Sequence, residues 1–528
     1  KHISLFLLAT LAAFSIMQAD VEAAPPNIVF FLVDDLGWRD LACYGSGFYE
    51  TPNIDAMARE GVRFTDAYAA CHVCSPTRAS ILTGKYPARL GLTDWLPGRK
   101  EFDFQKLHNA EVAQFLPLEE VTLAEALKAH GYRTGHFGKW HLGEEPYGPL
   151  AQGFDVQVPK YNRGWPNKGY YSPFGLEGIE DRDGTYLTDR LTDEALKFIE
   201  AAQDQPFFLY LAHFAVHDPI QGRPDLVSKY EQKLQGMPPR SGVHYLLEGN
   251  PDEAAPLTRE VLDALLQDEA YGGYSVLPQR TVKIKQDQDN VQFAAMVESM
   301  DESLGRVLDK LDALGLADST IVILTSDNGG MSAANFGNPE RVVDPEKLDT
   351  AFSTSNLPLR GGKGWLYEGG IRVPLIVRWP GQGEHGVVCT TPVVSTDFFP
   401  SFLEMAGLPL LPQQHVDGVS IAPLLRGEDD LDREAIYWHF PQYSNHGMQS
   451  PGGAIRVGDF KLLDYFEENT VQMFNLREDP GEQRDLAPAQ PQKAAALQEK
   501  LRAWRDTVEA QMPTPNPDYA PRDNTATP

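Results

Sequence analysis

Asn27-Ile28-Val29-Phe30-Phe31-Leu32-Val33, followed at once by Asp34-Asp35, is the stretch that decides the fold class. Seven nearly continuous apolar positions, rich in β-branched and aromatic side chains, are too few for a buried helix. They read as a strand covered on both faces, the kind that builds parallel sheets. Phe207–Phe214 (FFLYLAHF) and Thr320–Leu324 (TIVIL) share that texture. Helical patterns lie between these runs. Thr122–His130 opens on an N-capping residue and meets Gly131. From Val297 to Leu314 apolar residues recur mostly at spacings of three and four, and Gly315 follows. Strands alternating with helices predict an α/β domain: a large, mostly parallel sheet flanked by helices.

Ligands of such sheets gather at the carboxyl ends of the strands. The polar residues just beyond the three runs are Asp34-Asp35, His217-Asp218 and Asp327-Asn328, so all three converge on one sheet edge. Past about residue 430 the texture changes to short aromatic and β-branched runs split by Gly, Pro and Asn: IYWHF, AIRVGDFKLLDYF and VQMFNL. That predicts a smaller C-terminal antiparallel α+β subdomain. Pro491–Glu509 reads as its helix, with Pro491 in the first turn. The expected organisation is a catalytic domain over 25–430, with a variable insertion at 219–290 on the active-site side. The C-terminal subdomain follows over 431–512, then a loose Pro-rich tail over 513–528.

The chain has 528 residues, 46 basic and 74 acidic, for a formal charge of −28. The acidic excess argues against a nucleic-acid binder. With 42% hydrophobic and 23% charged residues, the composition is that of a soluble globular protein. The opening Lys1-His2, the mostly apolar run Ile3–Met17 and the exit Val21-Glu22-Ala23-Ala24 read as a signal peptide over 1–24. A buried helix is the alternative. The run is short for a membrane span, and no later segment is apolar for long enough. The expected location is periplasmic or secreted. Four cysteines, Cys43, Cys71, Cys74 and Cys389, are too few for a disulfide scaffold.

Three carboxylates and an amide, from Asp34, Asp35, Asp327 and Asn328, form an oxygen donor set that suits Ca²⁺ or Mg²⁺ rather than zinc. Either pair alone reads as an ordinary strand-end turn. Cys74-Ser75-Pro76-Thr77-Arg78 is sharper: Pro76 starts a helix and puts Cys74 at its N-terminus, where an anion is favoured. In Gly138-Lys139-Trp140-His141 the Lys and His alternate, so an extended segment would aim both the same way. Lys offers a point charge to an oxyanion and His a proton. Alone, that pair is weak.

Together these segments carry a resemblance. Cys-x-Pro-Thr-Arg, then Gly-Tyr-x-Thr-x-x-x-Gly-Lys-Trp-His about sixty positions on, resembles the two signatures of the type I formylglycine-dependent sulfatases of the alkaline phosphatase superfamily. The likeness extends through Thr51-Pro52-Asn53-Ile54-Asp55, Thr325-Ser326-Asp327-Asn328-Gly329, Gly361-Gly362-Lys363-Gly364 and Glu368-Gly369-Gly370. It ends with Phe474-Asn475-Leu476 and Asp479-Pro480-Gly481-Glu482. It implies that a formylglycine-generating enzyme oxidises Cys74, and that the hydrate is the nucleophile. It also implies that Asp34, Asp35, Asp327 and Asn328 hold one Ca²⁺, and that Arg78 stabilises the hydrate. Lys139, His141, His217 and Lys363 would surround the sulfate. His217, with Lys363, would then protonate the leaving alcohol, and His141 would take a proton from the second hydroxyl.

The implied reaction is hydrolysis of a sulfate ester. Resemblance to bacterial polysaccharide sulfatases makes a sulfated polysaccharide or oligosaccharide the expected substrate. A phosphate or phosphonate ester hydrolase of the same fold is one alternative, and an inactive glycan-binding member another. Trp95, Arg99, Arg163, Trp165, His439, Asn445 and His446 are candidates for the sugar-binding surroundings, because rings stack on sugar faces and Arg or His can meet anions.

Overall fold

The computed structural model describes residues 25–521 apart from 239–243, 254, 268–280, 335–342, 344–350, 429 and 447–448. The predicted signal peptide at 1–24 and the last seven residues of the predicted tail lie outside the described residues. Among the described residues, no helix is long and apolar enough to cross a membrane.

The opening run forms β1 (Asn27–Val33) in the middle of a nine-stranded sheet. The other principal strands are β2 (Val62–Tyr68), β3 (Arg133–Gly138), β4 (Val156–Val158), β5 (Phe207–Ala212), β6 (Thr320–Ser326), β7 (Arg372–Arg378) and β8 (Val387–Cys389). Their order is β8-β2-β7-β6-β1-β5-β3-β4, and Val393–Val394 adds to β2. β1 pairs in parallel with both β5 and β6, and only β7 runs against its neighbours. Successive β1 side chains serve opposite faces, as the two-residue period requires. Val29, Phe31 and Val33 join one buried cluster; Ile28, Phe30 and Leu32 join the other.

Helices α1 (Pro52–Glu60), α4 (Leu187–Ala202) and α5 (Val291–Ala313) cover the first face. Helices α2 (Cys74–Thr83), α3 (Leu123–Ala129) and α6 (Phe398–Met405) cover the second. α3 starts where expected: Thr122 and Glu125 form a reciprocal capping box, satisfying two otherwise orphaned N–H groups. α5 begins earlier than its apolar spacing suggested. Asn290 accepts from the N–H groups of Gln292 and Phe293 and so moves the start back to Val291. In the predicted insertion, helix Pro224–Gln235 packs on α5. The antiparallel strand pair Tyr245–Gly249 and Thr281–Lys285 joins a third cluster together with the C-terminal sheet.

That sheet is the antiparallel series β9 (Ile436–Phe440), β10 (Gly452–Val457), β11 (Phe460–Tyr465) and β12 (Val471–Asn475), backed by α7 (Pro491–Thr507). The described part of the tail departs from its composition. Thr514–Pro515 pairs with Leu107–His108, and the Ala520 N–H donates to the Asp103 carbonyl at 2.8 Å. A partner strand far away in sequence supplies the hydrogen bonds that a Pro- and Asn-rich segment cannot supply itself. No disulfide joins Cys43, Cys71, Cys74 and Cys389.

Lys461 of β11 ties the subdomain to the main body. It is fully buried, 3.0 Å from Glu368 and 2.9 Å from Glu482. Burial and repulsion from Glu368 overcome Lys461 and push Glu482 up to about 7. Replacing Lys461 with Met leaves the buried Glu482 facing Glu368 with no cation of its own, since Arg372 reaches only Glu368 of the two, at 3.4 Å. The expected cost is about 3–5 kcal/mol of unfolding free energy. Denaturant titration checks this, and a loss below about 1 kcal/mol contradicts it.

Candidate active site

The carboxyl ends of β1, β3, β5 and β6 meet the N-terminus of α2. Thr77 Oγ1 accepts from the Cys71 N–H and donates to the Cys71 carbonyl, both at 3.1 Å, folding the preceding loop back so that the helix starts at Cys74. Cys74 and Arg78 are four apart and share one helix face. Arg78 Nε donates to Asp327 Oδ2 at 2.9 Å and Nη1 to the Lys139 carbonyl at 2.8 Å. Lys139 Nζ donates to Asp34 Oδ2 at 2.6 Å, and Lys363 Nζ to Asp35 Oδ2 at 2.8 Å. Asn328 Nδ2 donates to Asp35 Oδ1 at 2.8 Å. The Cys74 sulfur lies within 4.8 Å of carboxylate oxygens from both Asp34 and Asp327.

Lys139 and His141 both reach this site, but not by strand alternation. β3 ends at Gly138, and His141 sits at φ +60°, a left-handed conformation that turns the chain. Its backbone N–H donates to the Asn162 carbonyl at 3.2 Å, and its Nε2 lies 2.7 Å from the Leu96 carbonyl. A carbonyl only accepts, so Nε2 carries the hydrogen and Nδ1 keeps the lone pair. Asp35 is also left-handed, at φ +63°. Two such residues in one site mark backbone held in place by its surroundings.

The electrostatics divide the carboxylates. Burial, then Asp327, drives Asp34 well above the usual carboxylate range, although Lys139 opposes this. Burial also works against Asp35, but Lys363, His217 and Lys139 outweigh it and hold the group low. Asp327 is held low by Arg78 and Lys139 against the same burial. Asp34 Oδ1 and Asn328 Oδ1 are buried without a hydrogen-bond donor. Orphaned acceptors beside three clustered carboxylates are what a site for a hard cation requires. These acidic residues can hold a metal.

A cavity of about 230 Å³ opens above Cys74. His141, His217 and Lys363 form its floor. Trp95 and Trp165 stand edge-to-face along one wall, 6.4 Å between ring centroids, and Asn445 and His446 enter from the C-terminal subdomain. Both ring nitrogens of His446 and the Asn445 side-chain oxygen lack partners. Burial, then Lys363, pushes His446 down to about 3, so its ring is neutral. Three expected sugar contacts do not line this cavity. Arg99 is buried behind it and donates to the Ser444 carbonyl at 2.8 Å. His439, on β9, places Nε2 2.8 Å from the Gln511 carbonyl. Arg163 faces a neighbouring cavity.

A family model described as Sulfatase matches residues 26–408. The chain belongs to the sulfatase family. A second model, N-sulphoglucosamine sulphohydrolase C-terminal, matches residues 362–509 of this sulfatase. The chain is 31% identical to a sulfatase of Formosa agariphila over 94% of its own length and 92% of that protein. It is 30% identical to human N-acetylgalactosamine-6-sulfatase over 94% of this chain and 88% of that one. Among solved structures it is similar to Ps i-CgsB in complex with k-i-k-neocarrahexaose, with 26% identity, a TM-score of 0.67 and coverage of 94% of each chain. The activity is that of a sulfuric ester hydrolase.

Some parts of the sulfatase site leave little trace in the sequence. Asp218 stood only as a neighbour of His217, yet its carboxylate lies 2.8 Å from His217 Nδ1. An acid beside a candidate proton donor was the available sign. The Leu96 carbonyl that sets the His141 tautomer is a backbone group and leaves no trace in residue type.

Proposed function

We propose that this sulfatase removes sulfate from a sulfated glycan, with Cys74 converted to formylglycine and Ca²⁺ held by Asp34, Asp35, Asp327 and Asn328. The observation that carries the reading is the placement of Cys74: its sulfur faces Asp34 and Asp327 at the floor of a cavity walled by two tryptophans. Three carboxylates and an amide oxygen form an all-oxygen donor set that suits calcium, and the ion, when bound, would supply electrophilic stabilisation of the sulfuryl oxygens. The formylglycine form supplies a hydrated aldehyde, whose one hydroxyl attacks sulfur while the other later expels sulfate.

The chain's own groups do the rest. Arg78, Lys139 and Lys363 create a fixed positive potential where charge builds in the transition state. His217 is held through Nδ1 by Asp218, which leaves Nε2 to donate to the departing alcohol oxygen. His141 presents the Nδ1 lone pair, suited to take a proton from the second hydroxyl. Neutral His446 and Asn445 offer hydrogen bonds to sugar hydroxyls, and Trp95 and Trp165 offer faces for stacking. The motif beginning at Cys74 supports maturation by a formylglycine-generating enzyme. The basic-then-apolar pattern of 1–24 supports export to the periplasm or beyond.

A panel of defined sulfated oligosaccharides, run beside an aryl sulfate and an aryl phosphate, tests the substrate class. Glycan and aryl sulfate should turn over and the phosphate lag far behind. Turnover of aryl sulfate with no glycan desulfated contradicts the glycan reading.

Two substitutions probe the pocket. His446→Ala should raise KM for the sulfated glycan about tenfold with kcat little changed, because it removes a hydrogen bond made equally in ground and transition states. Steady-state kinetics check this, and an unchanged KM rejects it. Gly164 packs against His141: a Cβ there would lie 2.4 Å from His141 Cε1. Gly164→Ala therefore pushes the imidazole out of line and should lower kcat about 10- to 100-fold while the melting temperature stays close to the parent's. Full activity in a folded Gly164→Ala protein removes the base role from His141.

A further inference from the structure

A second cavity, of about 360 Å³, adjoins the one over Cys74, and His141 and Trp165 line both. Its size falls within the range of small-molecule sites. Its own polar groups are Gln114, Glu144, Asn162 and Arg163. We infer that this cavity is a subsite for the sugar unit next to the sulfated one, so that the enzyme reads at least two linked rings. The inference rests on the reading of the first cavity as the sulfated-sugar site, and it adds a site that chemistry on the sulfate does not require.

Four observations carry it. First, the two cavities share Trp165 and His141 as lining residues, so a sugar next to one seated over Cys74 has this cavity as its neighbour. Second, the lining has sugar-binding character: planar amide, carboxylate and guanidinium groups beside an aromatic ring, able to pair with hydroxyls as donors and acceptors. Third, its charged groups are available. Arg163 Nε sits 3.4 Å from Glu144 Oε1, with both side chains more than half exposed (57% and 72%), a weak pairing that a ligand can replace at little cost.

Fourth, the walls are formed in advance. Asn162 takes the His141 N–H on its carbonyl and the Gln157 amide, at 3.0 Å, on its side chain. Phe115 and Tyr147 stack with ring centroids 3.6 Å apart behind the segment that carries Glu144. The Trp140 indole N–H donates to the Tyr147 carbonyl at 3.0 Å. A cavity kept open by such packing binds without first having to be ordered.

The test compares kcat/KM for a sulfated disaccharide with that for the matching sulfated monosaccharide, using an aryl sulfate as the control for the reaction pocket. The parent enzyme should favour the disaccharide by about tenfold or more, since binding energy from a remote ring adds to transition-state stabilisation. Gln114→Trp fills the second cavity from a position outside the reaction pocket. It should bring the ratio near one while aryl sulfate turnover stays within about twofold. Glu144→Trp, at an exposed position on the same cavity, repeats the test should the first variant fold poorly. A parent enzyme indifferent to the second ring overturns the proposal, as does an unchanged ratio in both filled variants. If neither saccharide is desulfated while aryl sulfate is, the glycan reading falls and takes the subsite with it. If only the ratio fails, the glycan reading stands and the subsite alone is lost.

Discussion

Replacing Cys74 with alanine abolishes sulfate-ester hydrolysis, a loss of at least about 10⁴-fold in kcat, with the fold intact. The substitution removes one sulfur from a fully buried helix start, and nothing that holds the helix depends on that atom. Thr77 closes the preceding loop, and Gly84, left-handed at φ +68°, ends α2 with its N–H on the Ser80 carbonyl. The positive potential of Arg78, Lys139 and Lys363 remains, but there is no atom left to attack sulfur. Cys74→Ser is the more informative partner. A serine hydroxyl can accept the sulfuryl group once, yet it has no second hydroxyl to drive sulfate out. Its expected signature is a single turnover that leaves residue 74 sulfated, read by peptide mass spectrometry. The same measurement on the parent should show formylglycine at residue 74. Unmodified cysteine in fully active enzyme defeats the nucleophile assignment.

Stripping the metal has the second-largest expected effect. Chelation should lower kcat by about 10³-fold or more, because the electrophilic stabilisation that the ion held by these residues would supply is lost. Asp327→Asn should do so irreversibly. That change keeps the shape but removes a charge from the donor set and from Arg78, whose Nη2 lies 2.7 Å from Asp327 Oδ2. Elemental analysis should find about one calcium per chain in the parent and far less in the variant. Thermal unfolding gives an independent readout. Calcium returned to the chelated protein at ~100 times its dissociation constant should restore about 2.7 kcal/mol of stability, while the variant should respond weakly. The chelated protein should remain folded, since Lys139 and Lys363 each pair with a carboxylate already. Stoichiometric calcium in Asp327→Asn rejects the donor assignment.

Much of this architecture could be read from residue order. The apolar runs at 27–33, 207–214 and 320–324 become adjacent parallel strands because buried central strands advertise themselves by continuous hydrophobicity. Their carboxyl ends bring Asp34, Asp35, Asp327, Asn328 and His217 together, as the topology of such sheets demands. Cys74 and Arg78 follow from helix geometry. Other features depended on contacts between distant segments. Arg99 looked like a sugar contact, but its guanidinium is committed to a backbone carbonyl 345 positions away. The tail looked loose because its strand partner, Leu107–His108, has no β signature of its own. Gly164 owes its importance to the absence of a side chain, and the second cavity to the space between loops. Neither leaves a mark in composition.

The seat of the 444–446 segment has a consequence for how such enzymes diversify. Gly364, beside Lys363, is left-handed at φ +87°, and a Cβ there would come within 2.5 Å of His446. The loop proposed to offer hydrogen bonds to the sugar therefore rests directly on the backbone beside Lys363, the lysine proposed to face the sulfate, and Arg99 clamps it from behind through the Ser444 carbonyl. Selectivity and chemistry are built as two separable parts with one shared bearing surface. A graft of residues 441–450 from a relative should carry its sugar preference along only when the graft accepts that glycine and that clamp. A transplant that ignores them would change the preference and misalign Lys363 in the same stroke.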